Sequence, residues 1–583
     1  MASVLNRTPR RVGGPSWTGL PAAGTSLAVE APVILGALGL FFALLSLARY
    51  WSGPINTQTV IHLNPAVLPK YAFYSVARIL LAYLVSLTVA VVYGYVAAHN
   101  ARAERVMIPL LDTLQSIPVL SFLPGVMVAM IALAPTKQLG VEMGSILLIF
   151  TGQVWNMAFS FYSSLKNIPP EMMEAALVYR LSWWQRLIQL ELPYAAIGLV
   201  WNSIMSVAGG WFFLMACEMF VLGNRDLRLP GLGSYLQTAA NAGDTGAILW
   251  GIAAMVFVIV MMDQLLWRPI IAWAEKFKFE QVEASETPRS LILTLLRRSR
   301  LLERASQMTT MPAREKLALH FARTNHREAP ARRRKGGGWM PRVLGWSALA
   351  GVAYAVVRMM MILAELSRAD LGGILIGAGA TFLRVEVSLL LAGLWTIPVG
   401  VYVGLRPRLS AIAQPIAQVA ASVPATALFP VVLMVLIRAG GGLGTASIVL
   451  LLLGTQWYIL FNVIAGASAI PTDLKEVCDI FRLGRKQRWR NLFLPGIFPF
   501  LITGFVTASG GAWNASIVAE YCHFRGQTIS TTGLGAIISR ATDSGNFPML
   551  AGATVVMAAM VVTMNRLLWR RLYVMASTKY RLE

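Results

Sequence analysis

Residues 116–124 read Ser-Ile-Pro-Val-Leu-Ser-Phe-Leu-Pro, and residues 422–430 read Ser-Val-Pro-Ala-Thr-Ala-Leu-Phe-Pro. The two strings lie 306 residues apart, and the same displacement carries Arg78 onto Arg384 and Gly94 onto Gly400. After a four-residue deletion the displacement becomes 302 and holds. Trp155 then pairs with Trp457, Pro169 with Pro471, Glu174 with Glu476, Pro193 with Pro495, Trp211 with Trp513 and Glu218 with Glu520. Gly231-Leu232-Gly233 falls on Gly533-Leu534-Gly535, and Leu265-Leu266-Trp267-Arg268 on Leu567-Leu568-Trp569-Arg570. Chance does not hold one register over so many identities, so the chain is written twice and the repeat fixes the architecture.

The solvent of this chain is a bilayer. Of its 583 residues 56% are hydrophobic and 13% charged, about half the charged share of a soluble domain. Apolar stretches near the length that spans a hydrocarbon core recur at 31–49, 72–97, 143–163, 194–221, 246–266 and 344–365. With about six spans per half, both halves enter and leave on the same side. The expected fold is all-α and polytopic, with about 12 transmembrane helices in two parallel six-helix repeats. Such halves pair about an axis along the membrane normal and leave a central interface for a solute path.

The expected organisation is a cytoplasmic tail over 1–30, a first repeat over 31–275, a basic cytoplasmic linker over 276–342 and a second repeat over 343–583. The run beginning near Ala31 is too long for a signal peptide. The formal charge is +23, and 276–342 holds sixteen Lys or Arg against six Asp or Glu, including Arg332, Arg333, Arg334 and Lys335. A solvated connector against anionic lipid heads accounts for that run better than nucleic-acid binding, and places both termini and the linker in the cytoplasm. Leu291 to Leu302 has the pattern of a basic interfacial helix. Cys217, Cys478 and Cys522 are far apart in apolar surroundings and read as packing residues.

The longest polar segments between spans, Asn167 to Pro193 and Ile470 to Pro495, match each other. The first reads Pro169-Pro170-Glu171, then Glu174-Ala175-Ala176, and closes at Leu192-Pro193. The second reads Pro471-Thr472-Asp473, then Glu476-Val477-Cys478, and closes at Leu494-Pro495. Proline followed by carboxylates starts a helix, since the missing amide is no loss in the first turn and the charge suits the dipole. Asp473 and Glu476 have capping-box spacing. Each segment is a short helix outside the membrane, tied to a span at both ends and able to transmit force.

Here the sequence resembles the inner-membrane permeases of ABC importers, whose cytoplasmic signature is Glu-Ala-Ala, three residues, Gly, then a spacing to Pro. From Glu174 to Pro193 and from Glu476 to Pro495 the spacing is twenty residues. The Ser-X-Pro span, the Trp-X-X-X-Phe lead-in at Trp155 and Trp457 and the Gly-Leu-Gly turn make it most similar to the nitrate, sulfonate, taurine and bicarbonate permeases. The resemblance implies the type I importer fold, an inner-membrane location and a small, anionic solute. It also implies a coupling role for Glu174, Ala175, Ala176, Arg180, Pro193, Glu476, Val477, Cys478, Arg482 and Pro495 against an ATPase dimer, which itself binds ATP and Mg. A separate extracytoplasmic binding protein is the further implied partner. Where the family has glycine this chain has Arg180 and Arg482, so the helix-breaking turn is expected to shift to Ser182 or Gly484. The shared Arg-Leu is a subgroup feature, or the arginines are ordinary positive-inside residues.

Other residues carry open readings. Glu218 and Glu520, two turns after Gly-rich bends at Gly209-Gly210 and Gly510-Gly511, either line the central path together with Arg78 and Arg384 or are structural carboxylates bonded to a neighbouring span. Pro118 and Pro424 kink an apolar span, as hinge or as fixed geometry. Trp183, Trp184, Trp267 and Trp569 read as interface anchors or lipid-facing filler. No GxxxxGK[ST], HExxH or CxxC string occurs, so no nucleotide, metal or catalytic site is expected in this chain. The competing class is an ion-driven carrier or channel with parallel repeats, which has no need of the paired cytoplasmic segments.

Overall fold

The computed structural model describes residues 60–133, 138–222, 225–277, 339–440, 442–524 and 527–579, with three isolated positions between 307 and 316. The apolar run 31–49, the basic cluster 332–335 and the interfacial helix expected over 291–302 lie outside these residues.

In the first half, α1 (Leu68–His99) leads through α2 (Ala101–Ser116) and α3 (Leu123–Leu133) to α4 (Leu139–Lys166). The short α5 (Pro170–Val178) and α6 (Trp183–Arg186) follow, and a π turn feeds α6 into α7 (Leu192–Glu218). A small hairpin, β1 (Val221–Leu222) with β2 (Arg225–Asp226), precedes α8 (Leu232–Ala242), α9 (Thr245–Met262) and α10 (Arg268–Ala274). The second half begins with α11 (Trp339–Leu363) and repeats the series. It comprises α12 (Arg368–Gly404), α13 (Pro407–Ser422), α14 (Ala425–Arg438), α15 (Leu443–Ser468), α16 (Thr472–Ile480), α17 (Arg485–Arg488) and α18 (Leu494–Ala519). The hairpin β3 (Tyr521–Phe524) with β4 (Gln527–Ser530), then α19 (Leu534–Ser544), α20 (Phe547–Met564) and α21 (Arg570–Lys579), complete it. The displacement of 306 maps α2 onto α13, and 302 maps α5, α6, α8 and α9 onto α16, α17, α19 and α20, residue for residue.

Eight helical segments among the described residues are long and apolar enough to cross a membrane, and Val119–Leu133 and Ala425–Leu436 are shorter apolar helices. The fold is therefore all-α and polytopic. Backbone amides within each span bond internally, as hydrocarbon demands. Side chains close the helix starts: Asn100 Oδ1 accepts from Arg102 N at 3.0 Å, and Asp244 Oδ1 from Ala247 N at 3.0 Å. Gly243 and Gly545 end α8 and α19 in the left-handed region, both at φ 68°.

One apolar core runs through both halves, from Ile79, Leu148 and Trp211 to Leu389, Ile459 and Trp513. The repeated glycines sit at helix crossings. A Cβ at Gly94 would lie 3.1 Å from Tyr162 N on α4, and one at Gly400 2.7 Å from Val463 Cγ1 on α15.

Four expectations from sequence change here. Pro118 and Pro424 do not kink a continuous span, because Ile117 (ψ 125°) and Val423 (ψ 113°) before them are extended and end α2 and α13 outright. The ring of a proline disfavours helical backbone in its predecessor. Gly209-Gly210 and Gly510-Gly511 form no bend, since α7 and α18 run through them unbroken. Trp267 and Trp569 are core residues, 5% and 8% exposed, packed on Tyr83 and Phe505. The spacing of Asp473 and Glu476 forms no capping box, because the N-cap of α16 is Pro471, two residues before Asp473.

Candidate functional site: paired short helices and the staples at the opposite end

The matched polar segments fold into α5 and α16, nine residues each, with Pro169 and Pro471 at their N-caps. Each ends in the same device. Leu181 N donates to Ala176 O at 3.0 Å and Arg180 N to Leu177 O at 2.9 Å, while Leu483 N donates to Cys478 O at 3.0 Å and Arg482 N to Asp479 O at 3.0 Å. This pair of bonds is the Schellman closure of a helix C-terminus, which needs a left-handed residue just past the cap. That residue is Arg180 at φ 49° and Arg482 at φ 46°, the two non-glycine residues with positive φ among those described.

The turn expected to shift to Ser182 or Gly484 therefore stays at the arginines. Ser182 instead caps the next helix: its Oγ accepts from Gln185 N, and Ser182 N donates to Gln185 Oε1 at 2.9 Å. Gly484 N makes the equivalent bond to Gln487 Oε1 at 3.0 Å. An arginine is held at the glycine position at a cost of about 1–2 kcal/mol.

Ala176 and Cys478 turn inward and are 6% exposed, whereas Glu174, Ala175, Arg180, Glu476 and Arg482 face out. At the tips, Val178 and Tyr179 are 78% and 79% exposed, and Ile480 and Phe481 are 76% and 72%. Pro193 and Pro495 open α7 and α18, so α5 and α16 are each joined to a long span through only α6 or α17 and one π turn. The first is further latched by Glu191 Oε1, which accepts from Arg186 Nε at 2.8 Å and faces His99 Nε2 of α1 at 2.9 Å. Phe493 and Leu405 occupy those positions in the second half.

Glu218 ends α7, about 40 Å along the helix from Leu192 by its length. Its Oε1 accepts from Arg78 Nη1 at 2.7 Å and Ser75 Oγ at 2.6 Å, and its Oε2 accepts from Gly233 N at 2.7 Å. Arg78 also grips Glu142 in two parallel bonds of 2.6 and 2.7 Å and donates to Pro230 O at 2.9 Å. The carboxylate thus sits at the positive end of α8 and ties it to α1 and α4. The Gly-Leu-Gly turn follows from this: a Cβ at Gly231 would lie 2.2 Å from Glu218 Cδ, and at Gly533 2.1 Å from Glu520 Oε2.

The second half repeats the staple with one part missing. Glu520 accepts from Arg384 Nη1 at 2.9 Å, Thr381 Oγ1 at 2.8 Å and Gly535 N at 2.8 Å. The position matching Glu142 is Gly444, and Arg384 Nη2 donates instead to Thr531 Oγ1 at 2.9 Å. The arginine is correspondingly looser, 14% exposed against 1% for Arg78.

The structure thus brings Arg78 to Glu218 and Arg384 to Glu520. Both glutamates are fully buried with their oxygens engaged, which is the geometry of a carboxylate bonded to a neighbouring span. Pro118 and Pro424 are also buried, next to the contact between halves where Leu120 N donates to Asn514 Oδ1 at 3.4 Å. Sequence reasoning missed Ser75 and Thr381, although the displacement of 306 pairs them, and missed Glu142 because its repeat partner is a glycine. Among the described residues no cluster of His, Cys, Asp or Glu could hold a metal ion.

The sequence profile described as binding-protein-dependent transport system inner membrane component matches twice, over 90–265 and 396–570. The nitrate import permease of Synechococcus elongatus is 30% identical over 207 residues, 35% of this chain and 71% of that protein. The bicarbonate transport permease of the same organism is 29% identical over 141 residues, 24% and 49% of the two chains. The taurine transport permease of Escherichia coli is 28% identical over 165 residues, 28% and 56%. Apart from the first, the match spans about half the length of these relatives. Two profile matches, in register with two copies of one helical series, show that the chain belongs to the inner-membrane components of binding-protein-dependent, ABC-type transport systems and carries that domain twice.

Proposed function

We propose that this chain supplies both membrane halves of an importer in a cytoplasmic membrane, driven by a separate ATPase dimer that binds ATP and Mg. The observation that supports this reading is the pair of docking helices, α5 and α16. Each is closed by a left-handed arginine and each exposes an apolar-aromatic tip, Val178-Tyr179 and Ile480-Phe481. Exposed aromatic side chains beside charges are the composition of a protein interface, and two equivalent tips match a two-fold partner. Glu174, Ala175, Glu476 and Val477 lie on the exposed faces of the same helices, while Ala176 and Cys478 seat them.

Closure of the ATPase would move α5 and α16, and the short links through Pro193 and Pro495 would pass that movement to α7 and α18. The solute is a small anion, handed over by an extracytoplasmic binding protein. The relatives named for nitrate, bicarbonate and taurine transport support this class, since each of those solutes carries an anionic oxygen group. In this reading both termini and the basic linker face the cytoplasm, the linker against anionic lipid.

Purification of the full chain from its host, in nanodiscs, tests the partner. An ABC ATPase co-purifies with the wild type and is lost from the Tyr179→Glu/Phe481→Glu variant, which places a charge on each tip. The reading fails if no such ATPase associates and Glu174→Lys/Glu476→Lys leaves uptake intact.

A further inference from the structure

The links from the two docking helices into their spans share a backbone and differ in how they are tied down. Each runs through a short helix, α6 or α17, and a π turn. Arg186 and Arg488 are equivalent residues of the two links. Arg488 bonds within its own segment, Nε to Leu483 O at 2.9 Å and Nη2 to Asp479 of α16 at 2.6 Å. Arg186 instead donates from Nε to Glu191 Oε1 at 2.8 Å, and that same oxygen lies 2.9 Å from Nε2 of His99, the last residue of α1. With Phe493 and Leu405 at the matching positions, the second half cannot form this tie.

The geometry fixes the charge on His99. Its Nδ1 faces Tyr95 O at 2.9 Å, while its Nε2 faces Glu191 Oε1. Both oxygens are acceptors, the second already taking a guanidinium N–H, and an imidazole meets two acceptors only when both its nitrogens carry hydrogen. The ring is therefore an imidazolium, placed at a helix C-terminus where the backbone dipole favours a cation. It stacks on Tyr95 with centroids 4.1 Å apart. At 26% exposure His99 exchanges its proton with water, whereas Glu191 is 1% exposed. The other Glu191 oxygen, Oε2, is buried with no hydrogen-bond partner among the described residues. Loss of one proton from His99 thus leaves the buried carboxylate with the Arg186 bond.

Among the described residues the charged groups facing the ring are Glu191 and Arg186. The tyrosines of the surrounding cluster are Tyr95 and, from α7, Tyr194, whose hydroxyl donates to Asn167 O at 2.8 Å. What α4 and α5 bring to that cluster, Phe161, Leu165, Met172 and Met173, is apolar. The same cluster joins the end of α1 to α5 itself, since Met172 and Met173 share it with Tyr95 and Ala98.

We propose that His99, Glu191 and Arg186 form a proton-operated latch on the first docking helix alone, closed while His99 carries both protons and open once it loses one. Opening removes a donor from Glu191 and frees the link from α1, so α5 is held on the acid side and released on the alkaline side. The link from α16 lacks the histidine and keeps one condition throughout. Histidine is the side chain whose charge changes between about pH 5 and 8, so the latch makes one of two otherwise equivalent docking helices responsive to the pH around it. This regulation rests on the importer reading for its purpose.

The test is hydrogen exchange of the purified full chain in nanodiscs at about pH 6 and about pH 8.5, corrected for the intrinsic pH dependence of exchange. Protection over 170–191 should fall about tenfold at the higher pH, as for the loss of one charged hydrogen bond, while 472–493 should change less than about twofold. That comparison lies within the wild type and needs no variant. His99→Gln, which keeps a side-chain donor and does not titrate, should abolish the pH dependence. Glu191→Leu should abolish it too, with protection as low as the wild type shows at the higher pH. The latch is refuted if protection over 170–191 does not change with pH, if 472–493 changes as much, or if His99→Gln keeps the wild-type profile. ATPase co-purification is scored on the same preparations. Its absence alongside the pH profile would overturn the importer reading and leave the latch standing, and its presence with a flat profile would overturn the latch alone.

Discussion

Replacing Arg78 by methionine should be among the most damaging substitutions in the molecule, and the damage should come from Glu142. Among the described residues Arg78 supplies both bonds to the Glu142 carboxylate, at 2.6 and 2.7 Å, and neither side chain is more than 1% exposed. Glu218 would keep Ser75 and Gly233 as donors, whereas Glu142 would be a buried charge without a donor among the described residues. Breaking a buried pair by removing one partner costs about 3–5 kcal/mol. Arg384→Met removes an arginine that faces one carboxylate, and Glu520 keeps Thr381 and Gly535. A charged hydrogen bond of that kind is worth about 1.5–3 kcal/mol. The assay is equilibrium unfolding of the full chain in mixed micelles, with Arg78→Met, Arg384→Met and Arg78→Met/Glu142→Gln side by side. The double variant, which leaves no uncompensated charge at position 142, should recover about half or more of the loss. If Arg78→Met costs no more than Arg384→Met, or the double variant is as unstable as the single, the account of the staple is wrong.

Other outcomes follow from single positions. Arg180→Gly and Arg482→Gly remove a left-handed penalty of about 1–2 kcal/mol and add about 0.5–1 kcal/mol of unfolded-state entropy. Each should stabilise its docking helix slightly, read as slower hydrogen exchange at the Leu181 and Leu483 amides; faster exchange would show that the arginine side chains outweigh the strain. Gly231→Ala should cost about 1–3 kcal/mol, because its Cβ meets the Glu218 carboxylate at 2.2 Å. Gly510→Ala, which meets nothing within 4 Å inside α18, should be neutral or gain up to about 1 kcal/mol. Equal effects in thermal unfolding would contradict the packing argument.

Much of this protein was legible in the chain. Apolar runs of spanning length can hardly do anything but become helices in hydrocarbon, and a repeat in constant register forces two copies of one series. The docking helices were legible for a local reason: Pro170 and the acids behind it start a helix from sequence neighbours alone. What the sequence could not decide depended on partners distant in the chain. Arg180 reads as a departure from glycine, yet the Schellman bonds hold it in glycine's conformation, since closing two carbonyls outweighs the strain. The Gly-Leu-Gly turns are tight, because a carboxylate thirteen residues before the first glycine fills the space of its missing Cβ. Glu142 is a lone acid in an apolar stretch until α1 brings Arg78 against it. Pairing of charges in a low-dielectric interior is set by which helices pack, and that is settled only when the whole bundle is assembled.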